Sequence, residues 1–191
     1  MNENSKEAII AKYTDKSRYK PEYIFGNVYV DEERITETLK SKDEKEIFEK
    51  EFKTAKRFSD KFGYDVFMLP QKEGNIIYIE KHSNPDIITA GMFIDIKGPS
   101  GSETSIKTRF RESVHQADGV LLSINKLISI LKVKSWIEDK LRRMDNHDGF
   151  LVIIEVGREN KKYDVFEVKG KGLEKAPLNG SRDFHPRSNK I

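Results

Sequence analysis

The sequence predicts a protein of the α/β or α+β class, with a mixed sheet flanked by helices. Two observations carry this prediction. Apolar residues recur at helical spacing in three long segments, and between these segments lie short alternating or continuous apolar runs that are typical of strands. Helical and strand patterns that alternate along one chain favour helices packed against a sheet.

The elements are predicted to follow one another as a helix, three strands, a helix and a strand, and then a helix and a hairpin. The first helix has its apolar stripe between Asp43 and Phe62, and Gly63 is a typical helix stop. The second helix is expected to end at Gly119. The remaining predictions are strands at 64–69 and 76–80, the two short runs 86–89 and 92–97, which are counted together as one element, and a short buried strand at 120–124. A helix at 126–144 and a hairpin of 150–156 and 163–168 follow.

These elements place one domain at residues 43–168. Residues 1–42 are polar and poorly periodic, which indicates a loosely packed extension with a helix at Glu7–Tyr13 and a short strand at Asn27–Val30. From Lys169 to the end of the sequence the chain is rich in Gly, Pro and Asn, which indicates a C-terminal tail at 169–191.

Composition excludes several classes of protein. The 191 residues are 36% hydrophobic, which is enough for a core, and they include no cysteine, which excludes disulfides, thiol catalysis and thiolate metal sites. No apolar run is long enough to span a bilayer, and the first residues lack a signal-peptide pattern, so we expect a cytoplasmic protein without a membrane partner. The sequence also lacks a Gly-rich phosphate loop and a nucleophile elbow, which disfavours NTPases and serine hydrolases.

Two aspartates are predicted to face each other across a tight hairpin. If Ala90-Gly91 forms a two-residue turn, the antiparallel register places Asp86 opposite Asp95, and Lys97 projects from the same face. Opposed carboxylates repel unless a cation lies between them, and oxygen ligands favour Mg²⁺ or Mn²⁺. The alternative is a solvent-facing strand that happens to carry the tripeptide Asp-x-Lys.

Further polar residues extend this constellation. Glu51 falls inside the apolar stripe of the first helix, where a carboxylate is costly unless it is paired or bound to a cation; alternatively, it reaches solvent at the edge of the stripe. Gln116 lies near the end of the second helix, where it could bind a phosphate, a base or a catalytic water; the alternative is an ordinary exposed glutamine. Three cations on that helix are expected to contact nucleic-acid phosphates, namely Lys107, Arg109 and Arg111. The alternative is that this run is simply a solvated face of the helix.

The segment from about Asp43 to Ile124 resembles the PD-(D/E)XK nuclease superfamily. Its motif is matched by Pro85-Asp86 and, after eight residues, by Asp95-Ile96-Lys97. The order helix–three strands–helix–strand matches the restriction-endonuclease-like core of that superfamily. The resemblance implies a phosphodiesterase that uses Mg²⁺ or Mn²⁺. It further implies these roles: metal ligands at Asp86 and Asp95, a water-positioning lysine at Lys97, a first-helix acid at Glu51 and an accessory residue at Gln116.

A narrower similarity concerns residues 50–55 and 62–66, the Pro85-Asp86 pair and Gln116-Ala117-Asp118. They resemble the nuclease domains of contact-dependent growth-inhibition toxins and related phage or mobile-element proteins, many of which act on tRNA. This similarity implies a DNA or RNA substrate and an immunity protein as a partner. Two alternatives stay open: a metal-independent ribonuclease of the barnase/colicin type that uses Lys97, His115 or the arginines, and a non-catalytic nucleic-acid-binding or interaction protein on a degenerate nuclease fold.

Overall fold

The structure is a computed structural model that describes residues 5–71, 85–159 and 161–176. Within these ranges it contains five α-helices and nine strands, and the strands pair in both parallel and antiparallel fashion. The predicted α+β class with mixed strand pairing is therefore confirmed, and the restriction-endonuclease-like core stays a prediction. The chain divides into two compact units, residues 1–94 and 95–191.

The first unit combines three helices with short strands. The strands follow the order of the chain, β2 pairs in parallel with β3, and the other neighbouring strands pair antiparallel. The last strand, β5, continues into the second unit. In chain order the elements are α1 (Lys6–Thr14), β1 (Ile24–Phe25), β2 (Val28–Val30), α2 (Glu32–Thr38), α3 (Lys42–Phe62), β3 (Val66–Met68), β4 (Ile87–Thr89) and β5 (Met92–Lys97).

The long helix α3 confirms the predicted first helix almost to the residue. Ser41 caps its beginning, because the serine hydroxyl accepts a hydrogen bond from the Glu44 backbone N–H at 3.1 Å. Gly63 ends it in the left-handed conformation at φ 74°, which glycine adopts without a steric penalty. The second half of the stripe is buried, with Phe58 only 2% exposed, and this half packs onto the strands.

The N-terminal segment is part of the first unit rather than loosely attached to it. The helix and the strand predicted there correspond to α1 and β2. All three residues of β2 are buried, and Val28 pairs in parallel with Val66 of β3. The expectation of a loosely packed extension is therefore wrong for this segment. A three-residue strand is too short to show periodicity, and its burial depends on a partner that is distant in sequence.

The turn between β4 and β5 has the predicted two-residue form. Thr89 pairs with Met92, and Ile87 pairs with Ile94. Ala90 and Gly91 both adopt positive φ, 49° and 71° respectively, as a type I′ hairpin turn requires. The turn and its register are confirmed, whereas the strand predicted at 76–80 lies outside the described residues.

The second unit places two helices against a four-stranded arrangement. Strand β6 pairs in parallel with β7, which requires a crossover, and helix α5 provides it; β7 with β8 and β8 with β9 are antiparallel. The predicted buried strand at 120–124 and the predicted hairpin are confirmed. The elements are α4 (Glu103–Ser113), β6 (Gly119–Ile124), α5 (Ile130–Leu141), β7 (Leu151–Val156), β8 (Lys162–Lys169) and β9 (Gly172–Lys175).

One apolar cluster forms the core of this unit, and α4 and α5 contribute Phe110 and Ile137 to it. Both helices are shorter than predicted. Helix α4 ends at Ser113 instead of Gly119, and α5 begins at Ile130 instead of Lys126. Leu131 of α5 is 71% exposed, because only the stripe of this helix that faces the strands is covered.

The predicted tail starts with a strand. Residues Gly172–Lys175 form β9 against β8, and Leu173 is buried, so the expectation of a tail is wrong for these four residues. Helix α5 holds the strand through Glu138, which accepts the Leu173 backbone N–H at 3.0 Å. Burial alone would raise the pKa of Glu138, but the bonds from Lys134 and Leu173 outweigh it and lower this pKa. Residues 177–191 lie outside the described residues.

Candidate functional site

Asp95 lies in β5 and is 1% exposed, so the interpretation as a solvent-facing strand is wrong. Its Oδ1 atom lies 2.9 Å from the Nζ atom of Lys97. Its Oδ2 atom accepts a hydrogen bond from the hydroxyl of Ser113 at 2.6 Å. The carboxylate is thus held at both oxygens. The side chain of Lys97 is 22% exposed and retains access to solvent.

Ser113 is a residue of this site that the sequence analysis missed. It follows Phe110 by one turn of α4 and is fully buried. A serine on an otherwise apolar helical stripe is the signal that points to it, because a buried hydroxyl needs a hydrogen-bond partner. Asp95 is the nearer partner of this hydroxyl, at 2.6 Å, and the Arg109 backbone carbonyl lies 3.0 Å from it.

Asp86 directly precedes β4 and is 6% exposed. Its Oδ1 atom accepts a hydrogen bond from the Nε2 atom of Gln71 at 3.0 Å, and its backbone carbonyl accepts the Leu69 N–H at 2.9 Å. Gln71 is a second residue that the sequence analysis missed, and no periodic pattern marks it. Asp86 is thereby fixed at the start of the hairpin whose register was predicted. Its position opposite Asp95 stays a prediction from that register.

Glu51 lies on the half-buried side of α3, with a side chain that is 16% exposed. Glu51 is thus partly buried, whereas the neighbouring Glu46 and Glu49 are exposed, and its role as the first-helix acid stays a prediction. Its partner is the guanidinium of Arg34 in α2, which donates a hydrogen bond to Oε2 of Glu51. A buried arginine in a short helix leaves no trace in the sequence pattern.

Gln116 lies beyond the end of α4, in the turn that leads to β6. Its backbone N–H donates to the Ser113 carbonyl at 2.9 Å. The expectation that Gln116 lies within the helix is wrong, because α4 ends three residues earlier. Gln116 nevertheless follows closely the serine that holds Asp95.

A cleft of about 280 Å³ separates α4 from α5. Lys107 and Arg111, two of the three cations predicted to contact phosphates, line it, and α5 and the residues that follow it add Lys140 and Arg143. Lys140 and Arg143 were not among the cations predicted from the sequence. Arg109 is not among the lining residues and instead pairs with Glu112 at 2.8 Å.

Acidic residues compensate part of this positive charge. The Nζ atom of Lys107 lies 2.5 Å from carboxylate oxygens of both Glu103 and Asp139. These contacts raise the pKa of Lys107, with Asp139 as the main cause, and they lower the pKa of Asp139. Arg143 also lies 3.5 Å from Asp139. Four cations and two carboxylates around one cleft leave it net positive.

Two histidines lie close to each other in the second unit. The rings of His115, after α4, and His147, in the loop before β7, are 6.1 Å apart between centroids and nearly perpendicular. The sequence indicates His115 as a candidate general base but not its pairing with His147, because the two positions are distant in sequence.

Within the described ranges, no group of three or more His, Cys, Asp or Glu side chains could hold a metal ion. Asp86 and Asp95 supply two carboxylates, each of which can accept several bonds. Mg²⁺ is commonly held by one or two carboxylates, with water and substrate phosphate completing its coordination. Each of these aspartates, both of them buried, therefore offers the type of ligand that a Mg²⁺ or Mn²⁺ ion prefers.

No protein-family model, no curated protein and no solved structure matches this chain. None of the helices in the described residues has the length and apolar character that crossing a membrane requires.

Proposed function

We propose that this protein is a metal-dependent nuclease of the PD-(D/E)XK type that hydrolyses phosphodiester bonds of DNA or RNA. The observation that carries the proposal is the environment of Asp95. This carboxylate is buried, and the ammonium of Lys97 lies 2.9 Å away on the same strand. A carboxylate that can hold a cation, next to a fixed positive charge, is the combination that phosphodiester hydrolysis needs.

Each residue has a distinct role in the proposed reaction. Asp86 and Asp95 would hold the cation, which when bound polarises the phosphate and lowers the pKa of the attacking water. Lys97 donates a hydrogen bond to that water or to a phosphate oxygen and stabilises the negative charge that develops. Ser113 prevents rotation of the Asp95 carboxylate. We further propose that Glu51 acts as the first-helix acid.

The substrate and the partner follow from the similarity to growth-inhibition toxins. We propose tRNA as the first RNA to test, with Gln116 as an accessory contact to the substrate. The same similarity suggests a cytoplasmic site of action and an immunity protein that blocks the nuclease.

Metal addition and removal test the proposal directly. A ligand that binds only the folded state, at 100 times its dissociation constant, adds about 2.7 kcal/mol to the free energy of unfolding. For a chain of this length we expect Mn²⁺ to raise the melting temperature by roughly 5–10 °C. The rise should disappear in Asp95→Asn and persist in Asp164→Asn, which alters an aspartate paired with Lys175 elsewhere in the second unit. EDTA should stop cleavage of DNA and tRNA.

The histidine pair supports a second candidate function, a metal-independent ribonuclease. Two imidazoles 6.1 Å apart can act as base and acid on one ribose phosphate. Cleavage of RNA that persists in EDTA and is lost in His115→Ala or His147→Ala would establish this candidate and contradict the metal-dependent one. A chain that cleaves neither DNA nor RNA would instead support the non-catalytic interaction protein.

The cleft between α4 and α5 is the proposed site for the nucleic-acid backbone. We expect the double substitution Lys140→Gln and Arg143→Gln to weaken binding of duplex DNA and to reduce the salt dependence of log K by about 0.9 for each phosphate that is no longer neutralised. Fluorescence anisotropy at several salt concentrations measures both quantities. Arg158→Gln removes an exposed cation that does not line the cleft and serves as the control. Equally weakened binding in that control would contradict the assignment.

A further inference from the structure

A buried arginine connects two helices of the first unit. Arg34 of α2 is 3% exposed. Its Nη1 atom lies 3.4 Å from Oε2 of Glu37, one turn further along the same helix, and its Nη2 atom donates to Oε2 of Glu51 in α3. One guanidinium therefore holds the carboxylates of two glutamates.

The chain of contacts continues from Glu37 to Asp86. The backbone N–H of Gln71 lies 3.1 Å and 2.9 Å from the two carboxylate oxygens of Glu37. The side-chain Nε2 atom of the same glutamine donates to Oδ1 of Asp86 at 3.0 Å and to the Pro85 carbonyl at 3.3 Å. Glu51, Arg34, Glu37, Gln71 and Asp86 thus form one continuous series of hydrogen bonds, here called the relay.

The relay is a costly way to join two helices. The Nε atom of Arg34 is buried and has no hydrogen-bond partner within the described residues. Burial of a charged group with an unsatisfied donor is unfavourable, and apolar side chains of similar size often stabilise such a position better. Packing alone therefore does not account for an arginine here. What the arginine adds is a defined distance between Glu51 and the residues that hold Asp86.

We propose that Arg34 is a positioning residue of the nuclease site, which sets the place of Glu51 directly and that of Asp86 through Glu37 and Gln71. This inference rests on the proposed function and deepens it. Asp86 is a proposed ligand of the metal, so an error in its position weakens metal binding more than it weakens substrate binding.

The test compares Arg34→Lys with Arg18→Lys. Lysine keeps the charge at either position but cannot reach two carboxylates with a planar fork. Arg18 is a matched control, because its Nη2 atom pairs with Asp31, the N-cap residue of α2, at 2.7 Å and is not part of the relay. We expect Arg34→Lys to raise the Mn²⁺ concentration for half-maximal cleavage at least tenfold, with the KM for nucleic acid unchanged. Arg18→Lys should leave both values at those of the parent.

A second readout needs neither metal nor activity. The backbone N–H of Gln71 donates to Glu37, so the hydrogen-exchange rate of this N–H reports whether the relay is intact. Exchange should be faster in Arg34→Lys than in the parent and Arg18→Lys. Should Arg34→Lys fail to fold, Glu37→Gln interrupts the same relay with a smaller change. We expect Glu37→Gln also to raise the Mn²⁺ concentration for half-maximal cleavage and to speed exchange of the Gln71 backbone N–H.

The outcomes separate the relay from the proposed function. If the parent shows Mn²⁺-dependent cleavage but Arg34→Lys keeps both its Mn²⁺ requirement and its Gln71 exchange rate, the positioning role is overturned and the nuclease stands. A merely structural role is indicated, and the proposal also fails, if Arg18→Lys changes the Mn²⁺ requirement as much as Arg34→Lys does. If the parent shows no metal-dependent cleavage, the proposed nuclease function is wrong, and so is the proposed role of the relay in positioning its metal ligand.

Discussion

Asp95→Asn is expected to lower the rate of metal-dependent cleavage by at least about 100-fold, which corresponds to about 2.7 kcal/mol of transition-state stabilisation. Asparagine keeps an oxygen that can accept the hydrogen bond from Ser113, so the fold should persist. It removes the negative charge that would hold the cation and that pairs with Lys97. Initial rates on DNA and tRNA with saturating Mg²⁺ or Mn²⁺ measure the effect.

Asp164→Asn is the matched control for this substitution. Asp164 lies in β8 and also pairs with a lysine, Lys175, at 3.2 Å, but it is not part of the candidate site. The cleavage rate of Asp164→Asn should stay within about twofold of the parental rate, because ion pairs near the surface contribute little to stability. An Asp95→Asn variant that keeps more than a tenth of the parental rate would remove Asp95 from the proposed mechanism. Lys97→Met should lower the rate to a similar extent, since it deletes the fixed positive charge.

Phe110→Ala is expected to cause the largest loss of stability, about 3–5 kcal/mol. The ring is fully buried in the core of the second unit and packs edge-to-face against Phe150 at 5.9 Å. Its removal deletes apolar contacts and leaves a cavity. Because the total stability of a domain is only about 5–15 kcal/mol, this variant should melt far below the parent.

Leu131→Ala serves as the control for this prediction. It also truncates an apolar side chain in a helix of the second unit, but Leu131 is 71% exposed. Its free energy of unfolding, measured by urea titration, should therefore lie within about 0.5 kcal/mol of the parent. A small effect of Phe110→Ala, or an equally large effect of Leu131→Ala, would contradict the described core.

Local patterns in the sequence were sufficient for most of the regular elements. The apolar stripe and Gly63 predict α3 and its end, and the pair Ala90-Gly91 predicts the hairpin turn together with its register. Each of these features depends on interactions between residues close in sequence. Periodicity was less informative for short segments, which is why the burial of β2 and the existence of α2 and β9 were not predicted.

In the candidate site, too, features that depend on neighbouring residues were predictable and features that depend on distant residues were not. Asp86, Asp95 and Lys97 could be selected from the sequence because a hairpin of known turn type aligns residues by simple counting. Their immediate partners could not. Ser113, the partner of Asp95, comes from a helix that follows the strand, and Gln71, the partner of Asp86, comes from the segment after β3.

Local sequence patterns were enough to predict the α+β class, the hairpin that carries the two aspartates and the choice of carboxylates and lysine as candidate catalytic groups. Tertiary contacts were needed to show that Asp95 is buried and bonded at both oxygens, that Glu51 pairs with Arg34, and that α4 and α5 enclose a cationic cleft. This division reflects the range of the interactions. Turn geometry and helical periodicity act over a few residues, whereas burial and ion pairing depend on which distant segments the folded chain brings into contact.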